Sequence, residues 1–300
     1  MRYPENTQAA VELIEKFARF ASNSVARAKT EFGMSWQNDF EILLARLYST
    51  PAALEAAIKG YGSFAIDSMR RQKRFEREGT YPAKTFEQAS QEVYLNAEHM
   101  TEQYLPGLLL SHYLWGHHYR QIEYFKTFVL PALRAQQTTD FVEVGVGTGI
   151  YSRIALEENS GICGVGYEIS PLSMQFAQRH LTAYGLSHRY SMELRDILVS
   201  PPERRFQWVF CVEVLEHMED PVALLRALKN LAVPGGKLFV TAALNAAHAD
   251  HIYLYRKPQD VLDQVAEAGL NVEHHFFSNA YVPERPGLAV PGALAMVLSS

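Results

Sequence analysis

The stretch Glu143-Val144-Gly145-Val146-Gly147-Thr148-Gly149 decides the fold. It closes the strand-like run DFVEVG and opens into the helix-like run GIYSRIALEEN, so three glycines fall at a strand-to-helix turn. There the backbone must bend sharply and a ligand can approach it closely. The spacing is selective. A dinucleotide fingerprint needs a third small residue three positions after its second glycine, and Ile150 occupies that place. No Gly-Lys-Ser/Thr follows, so the phosphate-cradling P-loop is also excluded. Glu143 at the strand end suits a cationic group better than a phosphate.

Working outward, short β-rich runs alternate with helical ones from Thr138 onward. The strands read as DFVEVG, GICGVGYEI, YSMELRD, WVFCVEV and KLFVTAAL, followed by a pair near NVEHHFFS and GALAMVLS. The helices between them read as GIYSRIALEEN, SPLSMQFAQRHLTAYG, DPVALLRALKNLAV and KPQDVLDQVAEAG. This alternation predicts a parallel sheet covered on both faces, with ligands outside the C-terminal ends of its strands. Before Thr138 the texture is helical: AAVELIEKFARFASNSVARA, DFEILLARLY, PAALEAAIKG and TFEQASQEVYLNAEHMTEQYL space apolar residues three or four apart. Thr50 and Pro51 suit an N-cap and a first-turn position, and Gly60 and Gly62 read as punctuation between helices.

The ordered motifs resemble those of the class I S-adenosylmethionine-dependent methyltransferases, whose first motif is E/D-x-G-x-G-x-G. The resemblance covers roughly residues 118 to 300. Cys211-Val-Glu213-Val-Leu-Glu216-His217 is similar to the C-x-E-x-L-E-H stretch of ubiquinone-biosynthesis-type O-methyltransferases, and Pro234-Gly235-Gly236-Lys237 then precedes the fifth strand. The resemblance implies an α/β fold: a Rossmann-like seven-stranded sheet (118–300) that binds S-adenosylmethionine, behind an all-helical N-terminal domain (1–117) acting as a lid or substrate domain. It implies cofactor contacts from Glu143, Gly145, Gly147, Thr148 and Gly149. Glu168 and Ile169 would meet the ribose, Asp196 and Ile197 the adenine, and Cys211, Glu213 and His217 the site after the fourth strand. Tyr119 and Arg120, just before the first strand, are candidates for the methionine carboxylate or amine. Glu216 would mainly cap the helix that this stretch opens. Glu213, Glu216 and His217 also stand at i, i+3, i+4, a spacing that can gather metal ligands on one helical face; no metal is assigned.

The segment leaving the fifth strand, Asn245-Ala-Ala-His248-Ala-Asp250-His251-Ile-Tyr253-Leu-Tyr255, should lie over the site of chemistry. Family members acting on small molecules often carry a similar D-H-I-Y-L segment here. Asn245, His248 and His251 are the candidate catalytic residues, either neutral imidazole being able to take a proton from an acceptor. The expected activity is methyl transfer to a small molecule, quinone-like or keto-acid-like. The alternatives are closure of the cofactor into a ring amino acid with release of methylthioadenosine, and a non-catalytic cofactor-binding module.

The remaining composition narrows the class. Apolar residues make up 48% and charged residues 20% of 300, with a formal charge of −5, which gives no general attraction to nucleic acid. The cluster Arg70, Arg71, Lys73, Arg74, Arg77 reads as a solvated helix face. No apolar run approaches the roughly 20 residues of a membrane span. The first residues lack a signal-peptide core, and Cys163 and Cys211 read as buried small residues inside strands, so the cytosol is the expected compartment. A small-molecule acceptor and at most a second copy of the chain are the expected partners.

Overall fold

The structure is a computed structural model describing residues 3–283 and 288–300; the first two positions of the expected helical domain therefore lie outside the described residues. The chain opens with α1 (Glu5–Phe17), α2 (Ser24–Leu47), α3 (Pro51–Glu78) and α4 (Phe86–Glu92). α5 (Ala97–His99) runs through a π-helical turn, Met100–Tyr104, into α6 (Leu105–Leu114), and α7 (Gly116–Tyr124) runs through a second, Phe125–Val129, into α8 (Leu130–Ala135). Then come β1 (Asp140–Val144), α9 (Ile150–Glu158), β2 (Cys163–Glu168), α10 (Pro171–Ala183), β3 (Tyr190–Leu194) and β4 (Phe206–Cys211). The chain ends with α11 (Pro221–Leu231), β5 (Ala232–Leu244), α12 (Pro258–Glu267), β6 (Asn271–Asn279) and β7 (Gly292–Ser299).

The seven strands form one sheet in the order β3-β2-β1-β4-β5-β7-β6. The first five pair in parallel, and β7 runs antiparallel to both β5 and β6. The sheet is thus mixed, not wholly parallel: among the described residues no helix intervenes between β6 and β7, and antiparallel neighbours do not need a crossover. The order reverses at β1, which has β2 on one side and β4 on the other, so a crevice opens beyond the ends of β1 and β4.

Side chains alternate across each strand. Val142, Val209, Cys211, Leu238 and Val240 pack with α11 and α12 on one face. Phe141, Trp208, Phe210 and Phe239 pack on the other, in a buried cluster that continues without a break into the N-terminal helices as far as Ala10 and Ile14. The helical half therefore shares a core with the sheet. Trp36 from α2 donates to the carbonyl of Tyr113 at 2.8 Å, and Arg153 from α9 donates to the Tyr113 hydroxyl at 2.8 Å.

Several sequence expectations change. Gly60 and Gly62 do not separate helices; both lie inside the 28-residue α3. A Cβ on Gly60 would stand 2.2 Å from the carbonyl oxygen of Glu102, and one on Gly62 would stand 3.2 Å from that of Phe17. These glycines let helices approach closely. The first long helix breaks instead at Ala18–Asn23, between α1 and α2, and the fourth breaks at Val93–Asn96. β5 starts at Ala232, before the Pro-Gly-Gly-Lys motif, with a register shift against β4 between Phe206 and Trp208. Thr50 does cap α3, accepting from Ala53 at 3.2 Å. Arg71, Arg74 and Arg77 pair with carboxylates on their own helix, and Arg71 also reaches Glu92. Cys211 is buried, but Cys163 is exposed at the start of β2.

Candidate active site

The crevice beyond β1, β2, β4 and β5 is a cavity of about 670 Å³ that continues under the helical half. At its sheet end lie Glu143, Gly145, Gly147, Glu168, Asp196 and Glu213. Gly145, Gly147 and Gly149 all have positive φ (73°, 53° and 71°), a region that L side chains enter at a cost. Their surroundings differ. A Cβ on Gly145 would meet Val214 at 2.6 Å and one on Gly149 would meet Ala177 at 3.1 Å, whereas one on Gly147 meets nothing within 4 Å and enters open space.

Glu168 ties the loop down. Its carboxylate accepts from the backbone N–H of Gly147, Ile169 and Ser170, each at 2.9 Å. Burial raises its pKa, with these N–H groups opposing. Glu143 is buried against the Ser152 hydroxyl, which also lies 2.9 Å from the Tyr190 hydroxyl. Burial pushes its carboxyl up to about 8. Asp196, just past β3, accepts from the Leu198 N–H at 2.8 Å; Ile169 and Ile197 also line the cavity, Ile169 exposed and Ile197 buried. Thr148 is buried on the cavity wall, its carbonyl oxygen 2.9 Å from His180 Nδ1.

Under the helices the lining becomes aromatic and imidazole-rich, with Phe64, Trp115, His117, His118, His248 and His251 facing the cavity. Phe64 stacks on both Trp115 and His248, with ring centroids 5.7 and 5.6 Å apart. His248 Nδ1 lies 3.3 Å from the Ser68 hydroxyl of α3. Burial depresses the pKa of His117 to about 3 and pulls those of His118, His248 and His251 down as well, so these rings are neutral at pH 7.

The loops after β4 and β5 are clamped together, because the carbonyl of Glu216 accepts from the N–H groups of Ile252 (2.8 Å) and Tyr253 (2.9 Å). Residues Leu215–His217 form a 3-10 turn, and the cap of α11 is Asp220, which accepts from Ala223 at 3.0 Å, so Glu216 is not the helix cap. Glu213, with φ 52°, turns its carboxylate to Gln121 (3.1 Å) and Thr241 (2.8 Å). Its carboxyl stays beside that of Glu216, although it is not among the donor atoms gathered with His217. Among the described residues, the group placed to hold a metal is Glu216, His217 and His251, all buried, with one donor atom from each within 4.8 Å of the others.

Not every sequence candidate faces the cavity. The Tyr119 hydroxyl donates to Asp39 at 3.1 Å, in the core beneath. Arg120 lines the cavity but its guanidinium is occupied by Glu31 (2.6 Å) and Ser278 (2.9 Å). Asn245, with φ 51°, donates to the carbonyl of Arg256 at 2.8 Å and shapes the turn after β5. Cys211 is buried within the sheet face. Sequence reasoning missed Phe64 of α3, Tyr94 of the turn after α4 and Tyr104 of the π-helical turn, single aromatics brought to the cavity only by tertiary packing.

Sheet order, glycine turn and acidic strand ends define the fold of the class I S-adenosylmethionine-dependent methyltransferases. A family model described as a methyltransferase domain matches residues 142–238. The chain is homologous to ubiquinone biosynthesis O-methyltransferases. It is 32% identical over 98 residues to that of Stutzerimonas stutzeri, covering 33% of this chain and 41% of the relative. It is 28% identical over 153 residues to that of Nitrosospira multiformis, covering 45% and 63%. It thus spans less than two thirds of the length of these relatives. The solved structure of PigF with SAH has the same fold, with a TM-score of 0.55 at 14% identity over 82% of this chain and 73% of that one.

Proposed function

We propose that this protein is an S-adenosylmethionine-dependent methyltransferase acting on a small, oxygenated, quinone-like or keto-acid-like acceptor. The observation that carries the reading is one continuous cavity joining a glycine-and-carboxylate end to an aromatic, imidazole-lined end. The residues at the first end fit the cofactor. The open space beside Gly147 admits a ligand against the backbone, Glu168 offers a carboxylate for ribose hydroxyls, and buried Glu143 would be stabilised as an anion by the cofactor's ammonium. When bound, the cofactor supplies an activated methyl group on a sulfonium. The chain's own residues do the rest by positioning. Phe64 and Trp115, stacked on each other in the cavity wall, would offer an aromatic face to a planar acceptor and keep water from it. The neutral ring of His248 takes the acceptor's proton if it is lost during attack.

Incubation of the full chain with cofactor and a panel of phenols, hydroxyquinones and keto acids, followed by mass spectrometry, tests this. The expected result is acceptor-dependent S-adenosylhomocysteine and an acceptor heavier by one methylene. Methylthioadenosine with a cyclic amino acid, formed without any acceptor, would overturn the methyltransferase reading.

A further inference from the structure

We propose that the first turn of α7, together with the ring of His117, binds a carboxylate of the acceptor, which narrows the acceptor to a planar aromatic acid. That the carboxylate belongs to a methyl acceptor rests on the methyltransferase reading; the anion site itself does not.

The first N–H groups of a helix have no partner within it and carry the positive end of its dipole. α7 opens on Trp115 as its N-cap, and no side chain caps it. The N–H groups of His118 and Tyr119 turn back to the Trp115 carbonyl, each at 3.1 Å; those of Gly116 and His117 have no carbonyl of α7 to meet. Gly116, His117 and His118 all line the cavity. Such a terminus suits an anion, and a buried side chain beside it points the same way. His117 is only 7% exposed, yet among the described residues neither of its ring nitrogens has a hydrogen-bond partner. A neutral imidazole carries one N–H and one lone pair, so the ring brings an unmet donor to the cavity whichever tautomer it adopts.

The cavity is sorted by charge. Glu143, Glu168 and Glu213 crowd its sheet end, where a second anion would be repelled. Around His117 the neighbours are of the other kind: burial, then Arg120, His248 and His112, depress its pKa, and these same groups favour an incoming anion. Glu31 Oε2 stands 3.4 Å from where a Cβ on Gly116 would lie, but Arg120 donates to that carboxylate at 2.6 Å and matches its charge. The stacking order says what the anion is attached to. His117 stacks on Trp115 (ring centroids 5.9 Å, planes 12° apart), and Trp115 stacks on Phe64 (5.7 Å, 23°). Trp115 Nε1 donates to the Tyr61 hydroxyl at 3.1 Å, which fixes the middle ring. The aromatic wall thus ends at the anion site, so one molecule can lay its ring on Phe64 and Trp115 and its carboxylate against α7. A neutral quinone in the same place leaves the buried donors unmet, which weakens binding.

The test uses the full chain, with and without S-adenosylhomocysteine, titrated with phenylacetate and with phenylacetamide, its neutral counterpart, and followed by ligand-observed NMR. The expected result is a preference of about tenfold or more for phenylacetate, as charge-assisted hydrogen bonds give over neutral ones. His117→Leu should remove that preference while leaving phenylacetamide affinity unchanged. His117→Gln, which keeps an N–H donor, should restore part of it. Binding of 5′-methylthioadenosine, which lacks the amino-acid end of the cofactor, shows that each variant is folded. Equal preference in the parent and in a folded His117→Leu variant, or none in the parent, would overturn the site. Should His117→Leu weaken S-adenosylhomocysteine but not 5′-methylthioadenosine, the terminus holds the cofactor's own carboxylate, and the acceptor proposal is overturned. A parent that shows the preference but binds no S-adenosylhomocysteine would overturn the methyltransferase reading and keep the anion site.

Discussion

The hydroxyl of Tyr104, in the π-helical turn leading into α6, donates a 2.7 Å hydrogen bond to Oδ2 of Asp250, in the loop after β5. Residues 146 positions apart in the chain thereby join the helical half to the wall of the cavity. Tyr94 donates to the same oxygen at 3.1 Å. Burial, followed by the nearby Asp250 charge, lifts both phenol pKa values well above the ordinary value, so both remain donors at any working pH.

A hydrogen bond to a charged group contributes about 1.5–3 kcal/mol. Tyr104→Phe should therefore lower unfolding free energy by that amount, measured by urea denaturation. In an Asp250→Asn background the same substitution should cost distinctly less, because the acceptor is no longer charged. Equal costs in both backgrounds would mean that the phenol stabilises by packing alone.

Gly145 and Gly147 separate folding from binding. Gly147→Ala meets no neighbouring atom and suffers only the left-handed backbone, about 1–2 kcal/mol. Its methyl enters the cavity, so S-adenosylhomocysteine affinity should fall by at least tenfold while the protein stays folded. Gly145→Ala carries the same backbone strain and also drives a Cβ to 2.6 Å from Val214, so it should show the larger drop in melting temperature. Calorimetry and thermal unfolding on the pair would reveal any reversal of this order.

The glycine turn was legible in the sequence because its requirement is local: three positions of positive φ after a strand call for three glycines. Gly60 looked alike in the sequence, yet its reason is the Glu102 carbonyl, which only packing brings near. The candidate ligand group shows the same limit. Spacing grouped Glu213 with Glu216 and His217 as if on a helix, but the segment folds into a 3-10 turn after a left-handed Glu213. His251 arrives instead from the neighbouring strand end, through the clamp between two loops. Strand order at the far edge was illegible for a related reason, because alternation of strands and helices does not encode the direction of the last strand.

Glu168 has two tasks in the structure, and its substitution should show both. Its carboxylate organises the N–H groups of Gly147, Ile169 and Ser170 while facing the cavity. Glu168→Gln replaces one accepting oxygen with a donor that confronts an N–H, so the loop should loosen before any ligand binds. The expected outcome is a loss of about 1.5–3 kcal/mol in cofactor affinity together with faster amide exchange at Gly147. Reduced affinity with unchanged exchange would confine Glu168 to the ligand contact.

Glu143 makes cofactor binding a proton-linked event. Burial holds its carboxyl near 8, above the ordinary 4.5, so the folded chain keeps a proton at pH 7 that the unfolded chain has released. The sign for stability follows: this contribution is fully present below pH 4.5 and is lost as pH rises through about 8. Binding has the opposite sign. An ammonium placed beside Glu143 favours the ionised carboxylate, so uptake of the cofactor at pH 7 should expel up to one proton, and affinity should rise from pH 6 toward pH 8. Calorimetric titration with S-adenosylhomocysteine in two buffers of different ionisation enthalpy measures the release directly. Glu143→Gln should abolish the buffer dependence, weaken binding, and stabilise the ligand-free protein at pH 9 relative to the parent. Identical heats in both buffers for the parent protein would place the amine away from Glu143 and leave that carboxyl as a buried partner of Ser152 and Tyr190.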